Sequence, residues 1–172
     1  PEVTAQAGVL SRATLPLAES GYYVLPVAVT EETFRQNGII SAQDAQELPV
    51  AKLREIFGAD AALYLDVRQY GSVYAVLKSE TKVTLTARLV DLRTGDQLWS
   101  GEATASSAET KSTSGNPLGM LISALIDQIV DSLSDRSVQI AETANGRLLY
   151  AGRPGGLLHG PRSPRYGADG QP

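Results

Sequence analysis

The sequence predicts an α/β fold: a mixed sheet built around an antiparallel three-strand meander, flanked by helices in layers, with an extended Gly/Pro-rich C-terminal tail. Three observations carry this reading. Residues 61–106 change to a period of two, with one oily and one mixed face, as half-buried strands require. The flanking segments instead repeat apolar residues at steps of three and four, the signature of helices that bury one stripe. The last 28 residues hold seven glycines and four prolines, which sustain neither a helix nor a central strand.

The elements follow in order. Val3, Ala7, Leu10, Thr14 and Leu17 predict an opening helix stopped by Ser20-Gly21, with Pro16 kinking or ending it. Tyr22 to Val29 is a near-continuous apolar run and reads as a strand buried on both faces, with Pro26 at an edge or bulge. Thr30 then caps a short helix through Phe34 that Gly38 ends, and Ser41 caps a turn over Ala42–Gln46. Pro49 opens a helix over Val50–Phe57, which Gly58 closes, with Val50, Leu53, Ile56 and Phe57 inward.

In the first meander strand Leu63, Leu65 and Val67 alternate with Tyr64, Asp66, Arg68 and Tyr70. Gly71 is expected to break it before Val73–Leu77, and Lys78-Ser79 to form the hairpin tip. The second strand sets Val83, Leu85, Ala87 and Leu89 against Thr84, Thr86, Arg88 and Val90. Arg93-Thr94-Gly95-Asp96 is a tight turn, and in the third strand Trp99 shares a face with the small residues Gly101, Ala103 and Ala105. A polar loop is expected over 108–116. A strongly amphipathic helix then runs from Leu118 to Leu133, with Asp127, Asp131 and Asp135 on its outer ridge.

Charge divides the chain into two parts. Residues 1–144 carry 11 Lys/Arg against 18 Asp/Glu, whereas 145–172 carry four arginines against Asp169. We therefore expect one acidic α/β domain over 1–144 and an extended basic tail over 145–172, packed on it by Leu148, Leu149, Tyr150, Leu157, Leu158 and Tyr166.

Composition narrows the chemistry. With no cysteine there is no disulfide, thiolate metal site or cysteine nucleophile. The single histidine, His159, sits in the Gly/Pro-rich tail and suits a surface or packing role better than that of a catalytic base. Asp66 and Asp91 could serve acid–base chemistry, but Arg68 and Arg88 stand ready as structural ion-pair partners. No phosphate-binding glycine loop occurs. Net charge of −4 and a pI near 5.0 argue against nucleic acid as a partner. No catalytic, cofactor or metal site is expected.

Four strings carry a family resemblance: Leu15-Pro16-Leu17-Ala18-Glu19-Ser20-Gly21-Tyr22-Tyr23-Val24-Leu25-Pro26-Val27, Lys52-Leu53-Arg54-Glu55-Ile56-Phe57-Gly58-Ala59-Asp60-Ala61, Leu89-Val90-Asp91-Leu92-Arg93-Thr94-Gly95 and Gly156-Leu157-Leu158-His159-Gly160-Pro161-Arg162. In these the chain resembles a family of small lipoproteins of Gram-negative bacteria, similar in fold to the TolB N-terminal domain, CsgG and LpoB. The resemblance implies an α/β layer structure that binds protein partners and does no chemistry. It also implies a lipid anchor on the periplasmic side of the outer membrane. Lipoproteins of this kind begin with a signal peptide, a lipidated cysteine and a first strand, so the chain is expected to be a trimmed domain, with a sheet edge left exposed if that first strand is absent.

The expected activity is non-enzymatic protein–protein contact in assembling or supporting an envelope or secretion complex. The partner is expected to be another envelope protein or a second copy, a dimer first. The expected contact residues are Tyr64, Asp66, Arg68, Tyr70, Thr86 and Arg88 on the mixed face, with Arg162 and Arg165 on the tail. The alternative is a periplasmic binder of small molecules or glycans, which requires a concave site of convergent polar groups.

Overall fold

A computed structural model describes residues 2–75, 78–111 and 133–168. In chain order its elements are α1 (Glu2–Glu19), α2 (Val27–Gln36), α3 (Ala42–Glu47), α4 (Val50–Phe57), β1 (Ala61–Ala75), β2 (Lys78–Asp91), β3 (Gln97–Ser106), α5 (Ser107–Lys111) and α6 (Leu133–Leu149). The expected helix Leu118–Leu133 and its acidic ridge lie almost wholly outside the described residues.

The meander forms as the alternation requires. β1, β2 and β3 pair antiparallel in that order, with Leu63 opposite Leu89, Leu65 opposite Ala87, and Leu85 opposite Ala103. Gly95 takes a positive φ of 82° in the β2–β3 turn. There the Asp91 carboxylate accepts the backbone N–H groups of Arg93 and Thr94. These bonds hold the Asp91 pKa below the ordinary carboxylate value.

Helices α1 and α6 cover the oily face. The core joins Val9 and Ala13 of α1, Val83, Leu85 and Ala87 of β2, and Ala105 of β3 to Ala141, Ala144, Leu148 and Leu149 of α6. Small residues on α6 let its backbone approach the sheet and α1. Asn145 between them is fully buried, and its Nδ2 donates to the Val9 carbonyl at 2.9 Å. Trp99 lies over Gly101 as its small neighbours predict: a side chain at Gly101 would collide with the indole ring, and Nε1 donates to the Gly155 carbonyl at 3.0 Å.

Several expectations change. Helix α1 continues through Pro16 and ends one turn later. Gly21 has φ 93°, its N–H reaches the Ala18 carbonyl, and the Tyr22 N–H reaches that of Leu17. The buried stripe is Val9, Ala13 and, in part, Leu17, while Leu10 faces outward.

Tyr22–Val29 forms no strand. Pro26 removes a ladder donor and has φ −56°, already suited to a helix N-terminus, so Val27–Val29 becomes the first turn of α2. Thr30 is therefore not the cap; its N–H bonds back to the Pro26 carbonyl. Ser41 does cap α3, accepting from the Asp44 N–H. Gly58, with φ 61°, closes α4 on the Arg54 carbonyl. Only Leu53 of the α4 stripe is buried.

β1 is not broken at Gly71, which pairs with Lys82. The irregularity falls at Arg68, between Val67 and Gln69. Lys78 and Ser79 already belong to β2, opposite Ala75 and Tyr74. Residues 107–111 are helical rather than loop: the Ser106 hydroxyl accepts the Ala108 N–H, and Glu109 is bridged by the Arg147 guanidinium. That bridge holds the Glu109 pKa low.

Residues 145–149 are the last turns of α6, with Leu148 and Leu149 in the core, so the extended segment begins only at Tyr150. Leu157 is buried, whereas Leu158 and Tyr166 are exposed.

Leu149→Ala should cost roughly 2–5 kcal/mol, because a fully buried side chain at the helix–sheet junction leaves a cavity. Chemical denaturation with an unchanged m-value checks this. Asp91 has its pKa lowered in the fold, so its stabilising contribution is complete above the unfolded-state value and is lost as pH falls through the folded one. Asp91→Asn keeps the turn's acceptor oxygen but cannot titrate. Its melting temperature should therefore fall less than wild type's on acidification below about pH 4.

Candidate functional site

The outer face of the sheet, opposite α1 and α6, collects the polar half of each strand's alternation. Register sets the columns: Tyr64 opposite Arg88 opposite Ser100, Asp66 opposite Thr86 opposite Glu102, and Gln69 opposite Thr84 opposite Thr104. Tyr64, Asp66 and Thr86 are half-buried, while Arg68, Arg88, Ser100 and Glu102 are exposed.

The contacts across this face are side chain to side chain. The Arg88 guanidinium stacks on the Tyr64 ring, 3.9 Å from its centroid. Arg68 Nε donates to Thr86 Oγ1 at 3.2 Å, and the Thr84 and Thr104 hydroxyls share a hydrogen bond of 3.0 Å. Gln46 of α3 reaches over the β1 edge and donates to Asp66 Oδ1 at 3.2 Å. Between these groups lies an open depression of about 330 Å³, lined by Asp66, Arg68, Thr86, Arg88, Ser100 and Glu102 among others.

The neutralising ion pairs expected from the sequence do not form. Ion pairs among the described residues link Arg12 to Glu142, Arg35 to Glu32, Lys52 to Glu55, Arg93 to Asp60 and Arg147 to Glu109. Arg68 and Arg88 take no part in them. Asp66 is met by an amide and Asp91 by its own turn.

Five of the expected contact residues come together: Tyr64, Asp66, Arg68, Thr86 and Arg88. Tyr70 does not join them. The extra residue at Arg68 reverses the alternation, so Gln69 follows Asp66 on the outer face and Tyr70 pairs with Val83 on the core side. There Tyr70 packs against the core beneath α1, and burial raises its pKa against the smaller opposing effect of Arg12. Arg162 and Arg165 lie elsewhere, on the C-terminal segment, where Arg162 sits over Tyr23.

The sequence reading omitted Ser100, Glu102 and Thr104, although they are the alternates of the Trp99 face and could be read from it. Gln46 carries no such signal. Its place depends on how α3 meets β1.

Among the described residues, no group of three or more His, Asp and Glu side chains is placed to hold a metal ion. No helix among them is long and apolar enough to cross a membrane.

The family model described as "Putative lipoprotein GNA1162-like" matches residues 1–162. The chain belongs to the GNA1162-like lipoprotein family. A Neisseria meningitidis serogroup B protein described as "Putative lipoprotein NMB1124/NMB1162" is 48% identical over 162 residues, or 94% of this chain and 75% of the relative. The crystal structure of lipoprotein GNA1162 from Neisseria meningitidis matches with a TM-score of 0.60 at 48% identity, covering 77% of this chain and 91% of that one. The resemblance drawn from the four sequence strings is thereby confirmed, as is the α/β class. Family membership makes this GNA1162-like protein a lipoprotein by kind.

The bulge at Arg68 separates the two tyrosines by consequence. Tyr70→Ala should destabilise by on the order of 2 kcal/mol through lost packing. Arg88→Ala should cost no more than about 1 kcal/mol, the scale of an exposed cation–π contact. Thermal unfolding of the two variants checks the assignment of faces.

Proposed function

We propose that this protein is a non-enzymatic, lipid-anchored module on the periplasmic side of the outer membrane. It works by protein–protein contact through the outer face of its sheet, in the assembly or support of an envelope complex. The observation that carries this reading is the state of Arg68 and Arg88. Both are exposed, both are held in place by a neutral partner, and neither is spent on an ion pair among the described residues. A guanidinium positioned in this way offers planar donors to a carboxylate on another surface at little further ordering cost. Tyr64 beneath Arg88 adds an aromatic body of the type enriched in interface cores.

A second copy of the chain is the first partner to test, because the face presents both signs: Asp66 and Glu102 beside Arg68 and Arg88. A second reading, a small polar ligand such as a glycan, rests on the depression between these residues. That depression is wide open and mixes polar with apolar surface in near-equal parts, unlike the mostly apolar, enclosing pockets of small-molecule sites.

Photo-crosslinking amino acids at Thr86 and Ser100 should trap a defined protein in intact envelopes. The same group at exposed Glu55 on α4 should not. Arg68→Glu with Arg88→Glu should abolish the product, and a product of twice the chain mass would identify self-association. Equal trapping from Glu55, or none from the sheet, defeats the reading. A glycan, and no protein, crosslinked at the sheet positions selects the second one.

A further inference from the structure

We propose that the C-terminal segment around Arg162 and Arg165, together with Tyr23, is a docking face for an anionic lipid surface. It is separate from the outer sheet face and does not depend on the reading given to that face.

The segment is fastened to the end of α1 and to Tyr22. It is held almost entirely by backbone. The Gly160 N–H donates to the Ser20 carbonyl at 2.8 Å, the Arg162 N–H to the Gly21 carbonyl at 2.9 Å, and the Tyr22 hydroxyl to the Leu158 carbonyl at 2.7 Å. Two glycines make this approach feasible: a Cβ on Gly160 would lie 2.5 Å from the Gly21 carbonyl oxygen, and Gly21 is pressed against Ser163. One side chain, Leu157, is sunk into the core.

His159 turns in against Gly152, but other side chains of the segment, and Tyr23 beside it, point away. Leu158 is 62% exposed, Tyr166 63% and Tyr23 67%. Arg162 and Arg165 are exposed, and neither enters an ion pair among the described residues. The Arg162 guanidinium stands over the Tyr23 ring at 4.7 Å. The fastened segment, with Tyr23 beside it, therefore presents two cations, two tyrosines and a leucine to solvent.

That set matches the headgroup region of an anionic bilayer. Arginines meet the phosphates, tyrosine rings with polar tips settle at the interface, and an aliphatic side chain enters the acyl boundary. The charge sign is selective, since residues 1–144 are net acidic and would be repelled while this segment is attracted. A lipoprotein's anchor would also keep this face at high effective concentration near a bilayer, so modest intrinsic affinity suffices to orient the domain.

Flotation of the 172-residue chain, which has no cysteine to carry a lipid, tests the face by itself. It should float with phosphatidylglycerol-containing vesicles and remain behind with pure phosphatidylcholine. Arg162→Glu with Arg165→Glu should weaken the partition at least about tenfold, and Leu158→Ser with Tyr166→Ser should weaken it without changing its salt dependence. Unchanged circular dichroism would show that both variants fold.

Equal flotation with both vesicle types overturns the proposal, as does binding that survives the arginine reversals. Loss of binding in excess free glycerol 3-phosphate overturns it in favour of a soluble phosphate ligand. Capture by polyglutamate beads with no vesicle binding overturns it in favour of an acidic protein.

Discussion

The close approach of α6 to the sheet and to α1 is the constraint on which the rest depends. Ala141, Ala144 and Asn145 are all fully buried, and their small or hydrogen-bonded side chains set the spacing between the layers. At that spacing Leu148 and Leu149 reach the sheet, Gly101 admits the Trp99 ring, and α1 is tied to α6 through the Val9 carbonyl. A bulkier residue at either alanine would push the layers apart, with overpacking costs of about 1–3 kcal/mol. The outer sheet face and the C-terminal segment are both consequences. One is the side of the sheet that the helices leave, and the other is fastened to the end of α1.

These two surfaces differ in how they hold their charge. On the sheet, Arg68 and Arg88 are positioned by neutral partners, a threonine hydroxyl and a tyrosine ring, on a rigid antiparallel scaffold. On the C-terminal segment Arg162 stands over Tyr23 at the longer distance of 4.7 Å, and both arginines project from a loop secured by main-chain bonds. The first arrangement suits directional recognition of a carboxylate. The second suits a laterally uniform anionic surface, where individual geometry matters less than the sum of charge and apolar area.

Much of the fold was legible because its signals are local. The period-two alternation placed all three strands, Ser41, Gly58 and Gly95 marked a cap, a helix end and a turn, and the small residues beside Trp99 foretold the ring's place. The errors came where a local signal admits two outcomes. Tyr22–Val29 is apolar enough for a buried strand, but Pro26 is equally good at opening a helix, and no neighbouring strand is present among the described residues to receive it. Alternation also put Tyr70 on the outer face. It is correct up to Val67 and inverted after Arg68, because one extra residue in one strand reverses the pleat.

The sequence by itself determined the α/β class, the meander and its turn, and five of the outer-face residues, since each rests on spacing along the chain, and it pointed to the family through four strings that resemble it. Only the tertiary structure decided that Arg68 and Arg88 are unbridged among the described residues, that Gln46 reaches Asp66, that Tyr70 belongs to the core, and that the C-terminal segment docks by its backbone and Leu157 with both arginines outward. Those facts depend on strand register, on the bulge, and on which glycine meets which carbonyl across more than a hundred residues of chain. Such distances in sequence carry no periodicity from which the contacts could be read.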